Sequence, residues 1–380
     1  MKTRQQMATA AAEKLERLSV APIELHALAG FDGFVDSIIH MVDVRHDMSP
    51  QGYERLKTIT RFAERCANAA GKSTNIEQVL IEDRFGGNGP LMAGGLARLG
   101  LKVTYVGAIG DGTPEPVFAP FASRLHECHA IGSPSTTDCL EFEDGKLMFN
   151  NTANVQAMTW ARVKERVGLD RFVQLVDRSD LLGIVNWSLL GGVPSIWRGL
   201  QAEVWSRVSK RPRRLFVDLS DPAKRTDVDI AECVRTLGDL QKLDGLKVTL
   251  GLNLAESDRI SAVCGAGAES AKTLEHMATR ANALRRVLGL DCVVIHPREG
   301  AAGADASGSV SWFEGPFTAN PKLSTGAGDH FNAGFAFAQT MGFELDECLA
   351  AACGVSGAYV RDAESPGCAR VAALLREACR

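Results

Sequence analysis

The segment Leu323-Ser324-Thr325-Gly326-Ala327-Gly328-Asp329 runs straight into the Ala-, Gly- and Phe-rich stretch 330–338, which reads as a helix. The first N–H groups of a helix have no partner within it and sit at the positive end of its dipole, so they favour an anion. Glycines let a phosphate approach that backbone closely. Asp329 would then stand in the first helical turn, beside the phosphate and able to face an acceptor hydroxyl. The plain alternative is Asp329 as the helix N-cap. This segment alone leaves both readings open.

Three further segments carry polar groups at chemically useful spacings. Gly86-Gly87-Asn88-Gly89 opens a second small-residue helix. It fails as a dinucleotide fingerprint, because Met92 stands where the third glycine is required. Asn253 and Glu256 lie three apart after an apolar run and share a face on a helical turn. One amide and one carboxylate suit a hydrated magnesium ion, which takes few protein ligands besides phosphates. The alternative is a helix-starting Asn with a solvated Glu. Asp32 and Asp36 follow the first apolar run and can accept hydrogen bonds from sugar hydroxyls, unless one of them only caps a turn. Two other clusters are set aside. Gly71-Lys72-Ser73 has Cys66 where a P-loop needs its first glycine. His126-Glu127-Cys128-His129 lacks the metal-binding His spacing and reads as a solvated helix end.

These residues need a frame. Apolar, β-branched runs at 26–31, 102–109, 181–187, 214–220, 247–253 and 292–297 read as buried strands. Helical stretches at 52–70, 90–100, 161–178, 195–210 and 269–288 lie between them. This alternation predicts an α/β fold with a doubly wound, mostly parallel sheet and helices on both faces. The segment 135–150 breaks the rhythm with two short runs around Asp144-Gly145, a hairpin signal. With the β-rich stretch 35–44 it predicts a small separate sheet, well placed to act as a lid.

Composition limits the rest. The 380 residues are 45% hydrophobic and 23% charged, enough for a large core. A net charge of −4 supplies no basic field for nucleic acid. Ten cysteines (66, 128, 139, 233, 264, 292, 348, 353, 368 and 379) form no C-x-x-C pair, and the N-terminus has no apolar leader, so the expectation is reduced thiols in the cytoplasm. The uncharged stretch 181–197 is broken by Gly191-Gly192-Val193-Pro194 and too short to span a membrane.

Taken in order from about Leu28 to Ala373, these segments resemble the ribokinase-like (PfkB) carbohydrate kinase family. The resemblance rests on Gly30 to Asp36, Gly86 to Gly89, Val106-Gly107-Ala108-Ile109-Gly110-Asp111, the hairpin, Asn253 to Glu256, and above all Thr325-Gly326-Ala327-Gly328-Asp329. It implies ATP-dependent phosphoryl transfer to a hydroxymethyl group of a small sugar. It casts Asp329 as catalytic base and Gly326, Ala327 and Gly328 as the anion hole. It casts Asn253 and Glu256 as the magnesium and phosphate motif, Thr325 and Gly300 as nucleotide contacts, and Asp32, Asp36, Gly87 and Asn88 as acceptor contacts. A monovalent cation near the last motif and a homodimer through the lid belong to the same expectation. So does a division into a helical extension (1–24) and a kinase domain (25–380) whose lid comes from about 35–45 and 131–155. Two departures stand out. His296-Pro297-Arg298-Glu299-Gly300 replaces a Gly-rich turn, which keeps ADP open as donor, and the segment 46–85 is unusually long. A nucleoside (adenosine-like) kinase and a non-catalytic sugar- or nucleotide-binding regulator are the alternatives.

Overall fold

The computed structural model describes residues 2–266 and 271–378. Cys379 and the first two residues of the helix expected over 269–288 lie outside them. In chain order the strands are β1 (His26–Phe31), β2 (Phe34–Arg45), β3 (Tyr53–Arg55), β4 (Gln78–Gly86), β5 (Lys102–Gly107), β6 (Gly110–Asp111), β7 (Glu127–Gly132), β8 (Ser135–Glu141), β9 (Lys146–Asn151), β10 (Leu181–Val185), β11 (Arg213–Asp218), β12 (Leu246–Leu252), β13 (Cys292–Ile295), β14 (Gly300–Asp305) and β15 (Val310–Glu314).

Ten of them form one sheet in the order β15-β14-β13-β12-β11-β10-β1-β5-β7-β6. From β13 through β7 neighbouring strands are parallel, and antiparallel strands close both edges. The chain moves outward from β1 through β5 and β7, then returns to β10 and moves out the other way. The direction of winding therefore reverses between β1 and β10, and a crevice opens at the carboxyl ends there. Every residue of β10 is buried, as expected for a strand covered on both faces. One apolar layer gathers Phe31, Phe172, Trp197 and Leu250; the opposite layer gathers Tyr105, Phe216, Phe335 and Leu349.

The helix Arg4–Ser19 begins at a Thr3 capping box and buries Met7, Ala8, Ala11, Ala12 and Leu15. That stripe at helical spacing packs on the helices Leu345–Asp362 and Cys368–Ala378. The tetrapeptide His126–His129 lies at the start of β7 rather than on a helix end. Parallel pairing with β5 extends it, and Arg171 and Arg178 meet Glu127 there. No described helix is long and apolar enough to cross a membrane.

A second sheet of five strands runs β3-β2-β8-β9, with β4 also on β2. β8 and β9 are the hairpin around Asp144-Gly145. The stretch 46–85 supplies β3 and β4 as well as the helix Ile59–Asn68. Residues 127–132, by contrast, belong to the main sheet. Ile39, Met41, Leu56, Leu140 and Phe142 form a separate small core under that helix.

Candidate active site

The polar residues of interest follow the parallel strands of the main sheet. Asp32 follows β1, Asn186 follows β10, Asp218 ends β11, Asn253 follows β12 and His296 follows β13. Asn186 and Ser220 hold left-handed backbone conformations at φ 63° and 67°. Such non-glycine residues cost about 1–3 kcal/mol each and concentrate at functional sites.

Asp32 sits across the point of reversal and is fully buried. Its Oδ1 accepts the Gly89 N–H at 2.8 Å; its Oδ2 accepts the Asn88 N–H at 2.9 Å and Asn186 Nδ2 at 2.7 Å. Tyr105 Oη donates to its carbonyl at 2.6 Å. The sequence reading paired Asp32 with Asp36 as sugar contacts. The structure separates them: burial closes Asp32 off, and it anchors the start of the helix Asn88–Arg98. A Cβ on Gly89 would lie 2.4 Å from Asp32 Oδ1, so the clamp requires glycine.

The anchored helix presents Asn88, whose Nδ2 donates to Asp329 Oδ1 at 2.8 Å. Asp329 is buried in the first turn of the helix Ala327–Thr340. It is not the N-cap; Gly326 is, at φ 86°. Burial raises the Asp329 pKa well above the ordinary carboxylate value, and nearby Asp218 adds to the rise. The Ala327 N–H donates to the Ser324 carbonyl at 3.2 Å.

Asn253 and Glu256 form a reciprocal capping box at the start of the helix Leu254–Cys264. Glu256 N–H donates to Asn253 Oδ1 at 2.9 Å, Asn253 Nδ2 to Glu256 Oε1 at 2.6 Å, and Asn253 N–H to Glu256 Oε2 at 2.8 Å. Capping does not leave Glu256 solvated. It is buried, and burial together with Asp218 pushes its pKa up to about 9. Asp218 is itself raised by burial, although Asn332 Nδ2 donates to it at 2.6 Å. No cation is among the influences that shift these three carboxyls.

Two spaces flank the segment 324–328. The larger, about 410 Å³, is lined by Ser324, Ala327 and Gly328 together with Asn253, His296 and Gly300. The smaller, about 60 Å³, lies against the small sheet and is lined by Thr325, Asp36, Arg84, Lys146 and Tyr359. The glycine-rich segment is thus the wall between them. Thr325, grouped with the nucleotide contacts from sequence, falls on the small-sheet side, whereas Ser324 before it and Ala327 after it line the large cleft. Gly87 caps the start of the helix Asn88–Arg98 at φ 103°. Burial raises the Asp36 pKa, and Thr137, its cross-strand neighbour, opposes the rise.

Sequence reasoning missed Asn186, Asp218, Asn332 and Tyr359. The first two end apolar strand runs, and their place at strand carboxyl ends was the available signal. Asn332 and Tyr359 sit within helices and carry no local signature.

The chain matches the family model described as prokaryotic ketohexokinase over residues 2–378. It is similar to a ketohexokinase of Haloferax volcanii, with 33% identity over 346 residues, 89% of this chain and 88% of that protein. Its fold is similar to that of Arabidopsis thaliana ribokinase complexed with ribose and ATP, with a TM-score of 0.62 and 17% identity over 94% of this chain and 99% of that one. A phosphofructokinase-2 variant of Escherichia coli superposes with a TM-score of 0.63 and 14% identity over 94% of this chain and 100% of that one.

Proposed function

The chain belongs to the prokaryotic ketohexokinase family of ribokinase-like sugar kinases, and on that premise we propose that it transfers the γ-phosphate of ATP to a hydroxymethyl group of a ketohexose. The observation that carries the reading is the wall: Ser324, Ala327 and Gly328 line the large cleft, Thr325 lines the small one, and Asp329 follows directly. ATP would occupy the 410 Å³ cleft and the sugar the small-sheet side. ADP as donor is the alternative arm of the test.

Asn88 fixes the Asp329 carboxylate through one oxygen. The other takes the hydroxyl proton as the sugar oxygen bonds to the γ-phosphorus and the bond to the ADP oxygen breaks. Burial and the nearby Asp218 raise the Asp329 pKa, which makes its ionised form a stronger proton acceptor than an ordinary carboxylate. The N–H groups of Gly326, Ala327 and Gly328 meet the charge spread over the phosphoryl oxygens, with Ala327 N–H shared with the Ser324 carbonyl at 3.2 Å. Asp36, Arg84 and Lys146 orient the sugar from the small sheet, which serves as the lid.

A magnesium ion fits the donor set, because Asp218 and Glu256 are buried carboxyls that a dication would relieve. Among the described residues no group of three or more His, Cys, Asp or Glu is assembled that could hold a metal ion. Glu256 and Asp218 would hold it through few direct bonds, and it would supply charge neutralisation. The Asn253 oxygen and both Glu256 oxygens each accept one hydrogen bond in the cap, so either residue would meet the ion through a remaining lone pair or an intervening water.

The test is turnover with magnesium across ketohexoses, aldoses, sugar acids and nucleosides, with ATP or ADP. A ketohexose carries hydroxymethyl groups at both ends, so phosphorus-coupled NMR of the product identifies the acceptor oxygen. Selective turnover of a ketohexose, abolished in Asp329→Asn, supports the reading. Preference for a nucleoside overturns the substrate class. Sugar-induced thermal stabilisation without turnover would make the protein a binding regulator.

A further inference from the structure

Three consecutive carbonyls in the proposed anion loop each accept a side-chain hydrogen bond. The Thr325 carbonyl accepts from Tyr359 Oη at 2.9 Å. The Gly326 carbonyl accepts from His330 Nδ1 at 2.8 Å, and the Ala327 carbonyl from Ser356 Oγ at 2.9 Å. A trans peptide is planar, and its N–H points opposite to its C=O. Holding carbonyls 325, 326 and 327 therefore fixes the directions of N–H groups 326, 327 and 328. Those are the three peptide groups assigned to the anion hole.

We propose that Tyr359, Ser356 and His330 are positioning residues for phosphoryl transfer, acting through the backbone of residues 325–327 to aim the anion-hole N–H groups. The proposal rests on the reading of Gly326–Gly328 as the anion hole. Ser356 and Tyr359 are three apart on the helix Leu345–Asp362 and so share one of its faces. His330 belongs to the helix that the loop opens. A carbonyl only accepts, so Nδ1 of His330 carries the proton and Nε2 accepts from Ser365 Oγ at 2.8 Å. Burial holds its pKa down at about 4, so the imidazole is neutral with both nitrogens engaged. Its ring stacks on Tyr359 at 3.6 Å and 12°. A Cβ on Gly326 would lie 3.0 Å from Tyr359 Oη, so the hydroxyl packs directly against the loop.

Preorganised N–H groups act on charge that develops in the transition state, so loosening them lowers kcat more than binding. The test compares Tyr359→Phe, Ser356→Ala and Asp329→Asn by steady-state kinetics normalised to folded protein. Tyr359→Phe keeps the ring stack and removes one hydrogen bond. It should lower kcat about tenfold, with KM for nucleotide changed by less than about twofold and KM for sugar, whose cleft Tyr359 lines, changed by less than kcat. Ser356→Ala should lower kcat several-fold, and the double variant should lose less than the product, because both brace one loop. His330→Asn, which keeps a side-chain N–H for the Gly326 carbonyl, should retain more kcat than His330→Leu. A purely structural role would lower thermal stability and leave kcat per folded site intact. The proposal is overturned if Tyr359→Phe and Ser356→Ala both keep kcat within about twofold while Asp329→Asn abolishes turnover. Should Asp329→Asn itself keep turnover, the parent reading falls and this one with it.

Discussion

Carboxylates at the two ends of the main sheet are treated in opposite ways. At the amino ends four of them meet arginines. Glu127 pairs with Arg178 and Arg171, Asp177 with Arg213, Asp180 with Arg211, and Asp291 with Arg214. At the carboxyl ends Asp32, Asp218 and Glu256, joined by Asp329, are buried and take hydrogen bonds from amides, and each has a raised pKa. Burying negative charge without a cation costs stability. The amino end is built to hold the sheet together. The carboxyl end retains charge that folding does not reward, which marks it as the working end.

The largest test of that contrast is Asp329→Asn. Loss of the base should lower kcat about 10²- to 10⁴-fold. The amide oxygen can still accept from Asn88, so the fold should be unharmed or more stable. The sign follows from linkage. A carboxyl raised in the folded state binds more protons there than in the unfolded chain, so its cost grows as pH rises above the unfolded value, up to the folded one. The melting temperature of Asp329→Asn should exceed that of the parent at neutral pH, and the gap should close toward about pH 4. The acid limb of kcat/KM should lie above the ordinary aspartate range and vanish with the substitution. Lower stability in Asp329→Asn at neutral pH would place Asp329 among the structural carboxylates.

Legibility in the sequence follows the same division. The Thr325–Asp329 segment is readable because anion binding needs small residues in an unbroken run before a helix. The parallel strands are readable because burial on both faces demands continuous apolar runs. β4 was hidden: Gln78–Gly86 is mostly exposed at the sheet margin, and polar residues mask its strand character. Glu127 misled because a charged cluster looks solvated until Arg171 and Arg178 arrive from a distant helix. Asp218 and Asn186 lie at the ends of visible strands, but only topology brings them beside Asp32 and Asp329. Tyr359 comes a whole helix and more after the loop it touches, so no local spacing announces it.

Asp32 is the residue most able to break the contrast. It lies at the carboxyl end, and burial lifts its pKa to about 6, yet its two oxygens are engaged by three N–H donors. In Asp32→Asn the side-chain NH₂ must face at least one of those donors. A stability loss of about 2–3 kcal/mol is expected, because each bond to a charged group contributes about 1.5–3 kcal/mol. kcat should fall as well, since the helix carrying Asn88 loses its anchor. Urea titration and kinetics on the same preparation separate the effects. An Asp32→Asn protein as stable as the parent would move Asp32 into the working set and leave the helix start without its assigned support.

The smallest expected effect sits at the amino end. Burial alone would lift Glu127, but Arg178, Arg171 and His129 together hold it down at about 2. A depressed carboxyl contributes stability above its unfolded pKa and loses it as pH falls through the folded value. Glu127→Gln should therefore cost about 1 kcal/mol at pH 7 after allowance for solvent screening. The difference should shrink below about pH 4.5 and be nearly gone by about pH 2. Because β7 carries Glu127 at the end remote from the strand termini that form the site, kcat and both KM values should stay within about twofold. Loss of activity without loss of stability in this variant would mean that the ends of the sheet are coupled, and that charge pairing at one end helps to set the geometry at the other.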